Sequence, residues 1–365
     1  MSPASPPSGL DLLVVSHPCV RPVNQEIYAE LKSRGVDLKI VVPSHWKDPY
    51  SPDGFSPEAL SSLQGQLLPR AILGAGRQQR HCYLSSPRKI LREQRPAVVF
   101  IEQEPFSVAG LQWAWACVRR GIPFGVQAAE NLDRSMPWPL RKWRHWVLAR
   151  ASFVAARSQS AVTLAKHWGA KGAVEIVAHP VPDWPEIAPI AHPVFTVGLC
   201  GRLVEAKGIR DLVAARDAME SDCDLRFIGD GPLVSWLERQ DRCSVIAGID
   251  HRSMAEQYAQ LDVVAVPSLS TPTWTEQFGR VIVEAMACGL PVVAYRSGEI
   301  PWVIEGSDAG ILVDEGDVAG LSAALQSLAN DAALRASLGA AGRQRVAERY
   351  TVKASASALW SLISR

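Results

Sequence analysis

The chain has 365 residues, of which 47% are hydrophobic and 21% charged, and a formal net charge of +1. That length exceeds what one hydrophobic core usually reaches, so two globular domains of ordinary soluble composition are expected, and no apolar run of the roughly 18 residues a spanning helix requires is present. A near-neutral chain without a recognition module excludes nucleic acid as a partner, while Lys and Arg outnumber Asp and Glu as far as Ile190 and the balance reverses beyond it.

That asymmetry is either chance or the mark of two units with different partners, the basic one meeting an anionic ligand or surface. The opening MSPASPPSG reads as a disordered tail over 1–9 and lacks the charged start and apolar core of a signal peptide. A strand is expected at 11–16, a helix near 23–33 and a strand at 37–42. From Pro43 to Pro96 the chain is loop-rich, with a helix near 86–94. Strands follow at 97–102, 123–128, 153–156 and 174–178, with a helix over 106–119.

The stretch "HPVPDWPEIAPIAHP", 179–193, holds five prolines and no periodicity, as a linker between domains would. After it the alternation restarts, with strands at 195–200, 225–229, 244–247, 263–267, 291–295 and 310–313, a helix after Gly208 and a last helix at 352–363. Repeated strand–helix alternation on both sides predicts two Rossmann-like, doubly wound domains. The expected boundaries are 10–180 for the first domain, 181–193 for the linker, 194–350 for the second domain, and 351–365 for a helix crossing back to the first. Ligands of such sheets bind at the carboxyl ends of the strands, so a cleft between the domains is the expected site. Seven cysteines, odd in number, scattered and never in a C-x-x-C pair, argue for reduced thiols in the cytoplasm and against zinc or a disulfide framework.

Two stretches carry chemistry. In "LCGRLVEAKG", 199–208, a strand runs into Gly201, Arg202 and Lys207 follow, and Gly208 opens a helix. A strand–glycine–helix junction with two cations can hold phosphate through amide N–H groups, the helix dipole and charge, although any such turn can carry glycine and exposed cations. In "TEQFGRVIVEAMACGLPVV", 275–293, Glu276 precedes a helix opening near Gly279, and Glu284 sits inside it among apolar neighbours. An ionised carboxylate buried without partners costs several kcal/mol. Glu284 therefore needs either a surface pair with Arg280, four residues earlier, or a pair of ligand hydroxyls such as a ribose diol.

Together these stretches, with "FIGDGP" and "YAQLDVVAVPS" between them, resemble the signature of family 4 glycosyltransferases, the glycogen-synthase-like retaining enzymes of GT-B fold. The resemblance is close over roughly 195–315 and implies Arg202 and Lys207 on a donor diphosphate, Glu276 on the transferred sugar and Glu284 on the ribose. It places Gly201 and the backbone of Phe278 and Gly279 near phosphates and sugar, and Ile249 beside the nucleobase. In the first domain the match is weaker. The first strand–helix loop reads "SHPCVRPVN", where His17, Arg21 and Asn24 stand in place of paired glycines. "IEQEPFS" offers Glu102 or Glu104 where many members carry a histidine, and "AENLDRSMP" offers Asn131.

The activity so implied is transfer of a hexosyl-type sugar from a nucleotide-diphosphate sugar to a hydroxyl acceptor, in glycolipid, polysaccharide or secondary-metabolite glycan synthesis, with retention and with no metal or other cofactor. The alternatives are an epimerase or hydrolase of the same fold, using Glu102, Glu104 or His17 as acid and base, and an inactive nucleotide- or glycan-binding protein. "DCD", 222–224, matches a metal motif of another glycosyltransferase fold but falls before a strand, at the wrong end for a site. "PWPLRKWRHWVLAR", 137–150, mixes tryptophan with basic residues. It is read either as a helix whose tryptophans pack inward, or as a peripheral contact with an anionic membrane or lipid-linked acceptor at the inner face of a membrane.

Overall fold

The computed structural model describes residues 11–48, 51–182, 184, 190, 193–249, 251–306 and 308–365. The expected tail at 1–9 and most of the 181–193 linker lie outside them. The chain divides into two compact units, one running to Pro182 and including Val352–Arg365, the other covering 183–351.

The first unit is built on a seven-stranded parallel sheet in the order Ala173–Ile176, Phe153–Ala156, Phe124–Ala128, Val98–Glu102, Asp11–Ser16, Asp37–Pro43, Leu67–Arg70. Its central strands are apolar on both sides, as VVFIE at 98–102 illustrates with every residue buried, because helices cover both faces. On one face Tyr28 and Leu31 of Glu26–Ser33 meet Leu359, Trp360 and Ile363 of the final helix Val352–Ile363. Ser355 Oγ ties that helix down by donating to the Ala178 carbonyl at 3.0 Å. The other face is covered by Pro87–Gln94, Val108–Arg120 and Trp138–Leu148, through Ile90, Leu91, Trp113, Ala114, Val147 and Leu148. The loop-rich region after Pro43 contains the edge strand Leu67–Arg70 and two small antiparallel pairs, Trp46–Asp48 with Ser51–Phe55 and Ile72–Leu73 with Cys82–Tyr83. Runs of two to five residues are too short to show a period in sequence.

The second unit has a six-stranded parallel sheet in the order Cys243–Ile246, Cys223–Ile228, Phe195–Cys200, Val263–Val266, Val292–Tyr295, Gly310–Val313. The strand expected at 225–229 starts two residues earlier, so Cys223 and Asp224 belong to it. Asp222 and Asp224 both accept from Arg242, at 2.7 and 2.8 Å. Helices Ile209–Asp217, Val318–Asn330 and Ala332–Arg349 flank the sheet. All seven cysteines are free thiols. Among the described residues no helix is long and apolar enough to cross a membrane.

Candidate active site

The site in the second unit grows from two glycine-dependent turns. After Phe195–Cys200 the chain leaves the sheet at Gly201, makes a 3-10 turn over Glu205–Lys207 and reaches Gly208 at φ +66°. A Cβ at Gly208 would lie 1.8 Å from the Pro267 carbonyl oxygen, so only glycine allows this close crossing of two loops. Leu269 N–H, donating to the Ala206 carbonyl at 2.8 Å, fastens the same crossing. Lys207 is thereby brought against the loop from Val263–Val266, where its ammonium donates to Glu276 Oε2 at 2.6 Å and lies 5.0 Å from the centre of the Trp274 ring. Ser268 Oγ donates to the same carboxylate oxygen at 3.1 Å.

The second turn is at Gly279, which caps the helix Arg280–Ala287 at φ +73°. Phe278 beside it is buried, its ring edge-on to Tyr350 with centroids 5.7 Å apart. Lys207, Ser268, Glu276, Gly279 and Arg280 line a recess of about 170 Å³ together with Leu199 and Cys200 at the strand end. The recess therefore sits at the carboxyl end of a parallel strand and beside a helix N-terminus, where amide N–H groups and the dipole favour an anion. Arg202 is exposed and has no ion-pair partner among the described residues, so its cation is available to a ligand.

Glu284 lies deeper and is only 4% exposed. Three side chains surround its carboxylate: His251 Nε2 at 2.9 Å from Oε1, Tyr258 hydroxyl donating to Oε2 at 2.9 Å, and Arg280 Nε 3.0 Å from Oε1 without the alignment of a hydrogen bond. Burial, with Cys200 and Glu284 nearby, pushes the Tyr258 phenol well above its usual range, which keeps it a donor. Trp184 in turn packs on His251 and Tyr258, with ring centroids 5.4 and 5.9 Å away. The Arg280 pair expected at a surface thus belongs to a buried carboxylate. His251 and Tyr258, which sequence reading did not single out, complete its shell. Their only sequence signal is residue type, because 33 and 26 residues separate them from Glu284. Ile249 is half-buried in the loop after Cys243–Ile246.

The candidates of the first unit divide by how fully they are occupied. Glu102 is buried and accepts from Tyr28 and Arg157, both at 2.7 Å. Arg21 pairs with Asp48 at 3.0 Å, bonds Ser51 and lies over the Phe55 ring, and Asn24 donates to the Pro18 carbonyl at 2.8 Å. His17 contacts Gln103 Oε1 at 3.0 Å. Burial, reinforced by His81, lowers its pKa to about 3, so it is neutral across the physiological range. Glu104 differs. Its Oε1 accepts from the Ala129 N–H at 2.7 Å, while Oε2 is enclosed and meets no hydrogen-bond partner in the described structure. Burial raises its pKa to about 7, so Glu104 titrates near neutrality whereas His17 does not. Asn131 is half-buried in the loop after Phe124–Ala128. Among the described residues no group of three or more His, Cys, Asp or Glu is placed to hold a metal ion.

Residues 194–331 match the family Glycosyl transferases group 1. Over 155 residues the chain is 34% identical to N-acetyl-alpha-D-glucosaminyl L-malate synthase of Bacillus anthracis, covering 40% of this chain and 39% of that protein. It is 32% identical over 160 residues to the GDP-mannose-dependent monoacylated alpha-(1-6)-phosphatidylinositol monomannoside mannosyltransferase of Corynebacterium glutamicum, covering 41% and 42%. The chain spans less than half the length of these curated relatives. Its fold is matched over nearly the whole chain. Sucrose-phosphate synthase of Thermosynechococcus elongatus superposes with a TM-score of 0.70 at 20% identity over 97% of this chain and 98% of that one. Anabaena Alr3699/HepE in complex with UDP-glucose superposes with a TM-score of 0.72 at 17% identity over 97% and 99%. The fold is GT-B, and the match to the glycosyl transferases group 1 family is confined to residues 194–331 of the second unit.

Proposed function

We propose that this protein is a retaining glycosyltransferase that moves a sugar from a nucleoside-diphosphate sugar to an acceptor hydroxyl. The observation that carries the proposal is the recess in the second unit, where the Lys207 ammonium is paired with Glu276 at 2.6 Å beside the N-terminus of Arg280–Ala287. Lys207, Arg202 and the amides of that helix start gather positive potential where a diphosphate gains charge as it departs. The recess at a strand's carboxyl end suits a nucleotide. The relatives support the class of reaction, since the Corynebacterium enzyme is named for GDP-mannose and the Anabaena structure holds UDP-glucose.

In this reading the bond between the anomeric carbon and the diphosphate oxygen breaks, and the electron pair leaves with the diphosphate. The acceptor oxygen forms its bond on the same face of the sugar, and its proton passes to a phosphate oxygen of the donor, so no protein base is required. Glu276 holds hydroxyls of the sugar. Glu284 holds those of the ribose, its carboxylate oriented by Tyr258 and His251. Glycosidases need two carboxylates across the scissile bond, and neither glutamate has that role here.

The test is product analysis with nucleotide sugars, using wild type and Glu276→Ala. Wild type is expected to consume a donor and link its sugar, with retained configuration, to a hydroxyl acceptor, while the variant keeps its melting temperature and loses transfer. Full transfer by Glu276→Ala would sink the assignment. Donor consumption that yields only free or epimerised sugar with every acceptor tried would favour hydrolysis or epimerisation.

A further inference from the structure

We propose that the solvent side of the helix layer Pro87–Gln94, Val108–Arg120 and Trp138–Leu148 in the first unit is a docking surface for an anionic lipid bilayer. Trp115 is 46% exposed, Trp138 59% and Trp143 38%, and all three stand on the outer side of this layer. They are not the residue of a poorly filled core: the inner sides of the same helices bury Trp113, Ala114, Cys117, Val147 and Leu148. Tryptophans averse to water but left in it mark a surface that meets something else.

Charge identifies what that is. Val108–Arg120 and Trp138–Leu148 contain no Asp or Glu, and they present Arg119, Arg120, Arg141 and Lys142 as exposed cations. Pro87–Gln94 adds Arg88, Lys89 and Arg92 against one acid, Glu93, which lies 3.9 Å from Lys89. Several of these cations sit directly on the exposed rings. Lys142 is 4.0 Å from the centre of Trp138, and Arg88 and Arg119 are 5.9 and 5.5 Å from Trp115. Indole rings flanked by ammonium and guanidinium groups fit the headgroup level of a bilayer, where the ring meets the apolar boundary and the cations meet phosphate. The expectation of inward-packed tryptophans along 137–150 holds only for the half-buried Trp146, because Trp138 and Trp143 face solvent.

Sedimentation with vesicles tests this. The protein is expected to pellet with phosphatidylcholine vesicles containing phosphatidylglycerol, to remain in solution with phosphatidylcholine alone, and to be released by salt. Trp138→Ser with Trp143→Ser, and separately Arg141→Glu with Lys142→Glu, should each weaken partition by about tenfold or more at unchanged melting temperature. Transfer to a water-soluble acceptor should be unaffected, since none of these residues belongs to the recess. If the tryptophan pair destabilises the fold, Trp138→Ser alone, the more exposed site, is read in its place. Wild type left in solution with anionic vesicles would overturn the proposal, as would a tryptophan variant that binds them as tightly as wild type.

Discussion

Each unit buries one glutamate under a tyrosine hydroxyl and beside a guanidinium, and the two arrangements differ in how they close. Glu102 in the first unit is held by Tyr28 and Arg157, and both members of its ion pair are nearly inaccessible, with side-chain exposures of 7% and 5%. Arg157 also donates to the Val177 carbonyl and to Gln127, so its charge is consumed by the fold. Glu284 in the second unit is equally buried, but Arg280 and His251 reach it from the surface, with side-chain exposures of 36% and 33%. The first is a closed structural knot. The second can exchange partners with a ligand without stranding a charge. Burial, which both carboxylates share, does not separate them; the exposure of their partners does.

The comparison is broken most directly at Arg157. Arg157→Ala leaves Glu102 buried with an uncompensated charge, and denaturant unfolding should report a loss of about 3–5 kcal/mol; a loss below about 1 kcal/mol would show that the knot is not structural. Lys207→Ala should do the reverse, leaving the melting temperature near wild type while lowering sugar transfer by about 10²–10³-fold, the scale for removing one charge-stabilising group from a transition state. Near-normal transfer in that variant would remove Lys207 from the site.

Glu104 supplies a third contrast, a half-buried acid whose Oε2 is enclosed and has no cation bonded to it. Its folded pKa of about 7 lies above the ordinary 4.5, so between these values the folded state binds more proton than the unfolded one and stability falls as pH rises. The fall is on the order of 1 kcal/mol per pH unit and is complete above pH 7, where both states are ionised. Glu104→Gln should flatten that segment of the stability profile, and an unchanged slope would contradict it. The smallest effect is expected for Arg280→Ala. It removes a half-exposed pair while His251 and Tyr258 still hold Glu284, so unfolding should shift by about 0.3–0.5 kcal/mol.

Much of the architecture was legible because parallel strands buried on both faces are apolar without alternation. "DLLVVS", "FVAA" and "GILV" fall where their runs predict, at Asp11–Ser16, Phe153–Ala156 and Gly310–Val313. The final helix at Val352–Ile363 was legible too. The small hairpins of the first unit and the two helices between Val318 and Arg349 were not singled out. At the site, local motifs named Lys207 and Glu276, and the fold brings these two together across 69 residues of sequence. His251, Tyr258 and Ser268 have no such motif. They take part only because the loops after different strands converge, a tertiary fact that spacing along the chain does not encode. Arg21 and Asn24 have partners that spacing did not announce either, Asp48 for the one and the Pro18 carbonyl for the other.

The central claim, that the recess beside Lys207 holds a nucleoside diphosphate, is tested by calorimetric titration of UDP, GDP, ADP and TDP into wild type and Arg202→Ala, repeated with the corresponding nucleotide sugars. The account predicts that one base is preferred and that the variant binds it at least about tenfold more weakly, the loss of one charge-assisted phosphate contact. Equal affinity in the variant, or no binding of any nucleotide or nucleotide sugar by folded wild type, would contradict it.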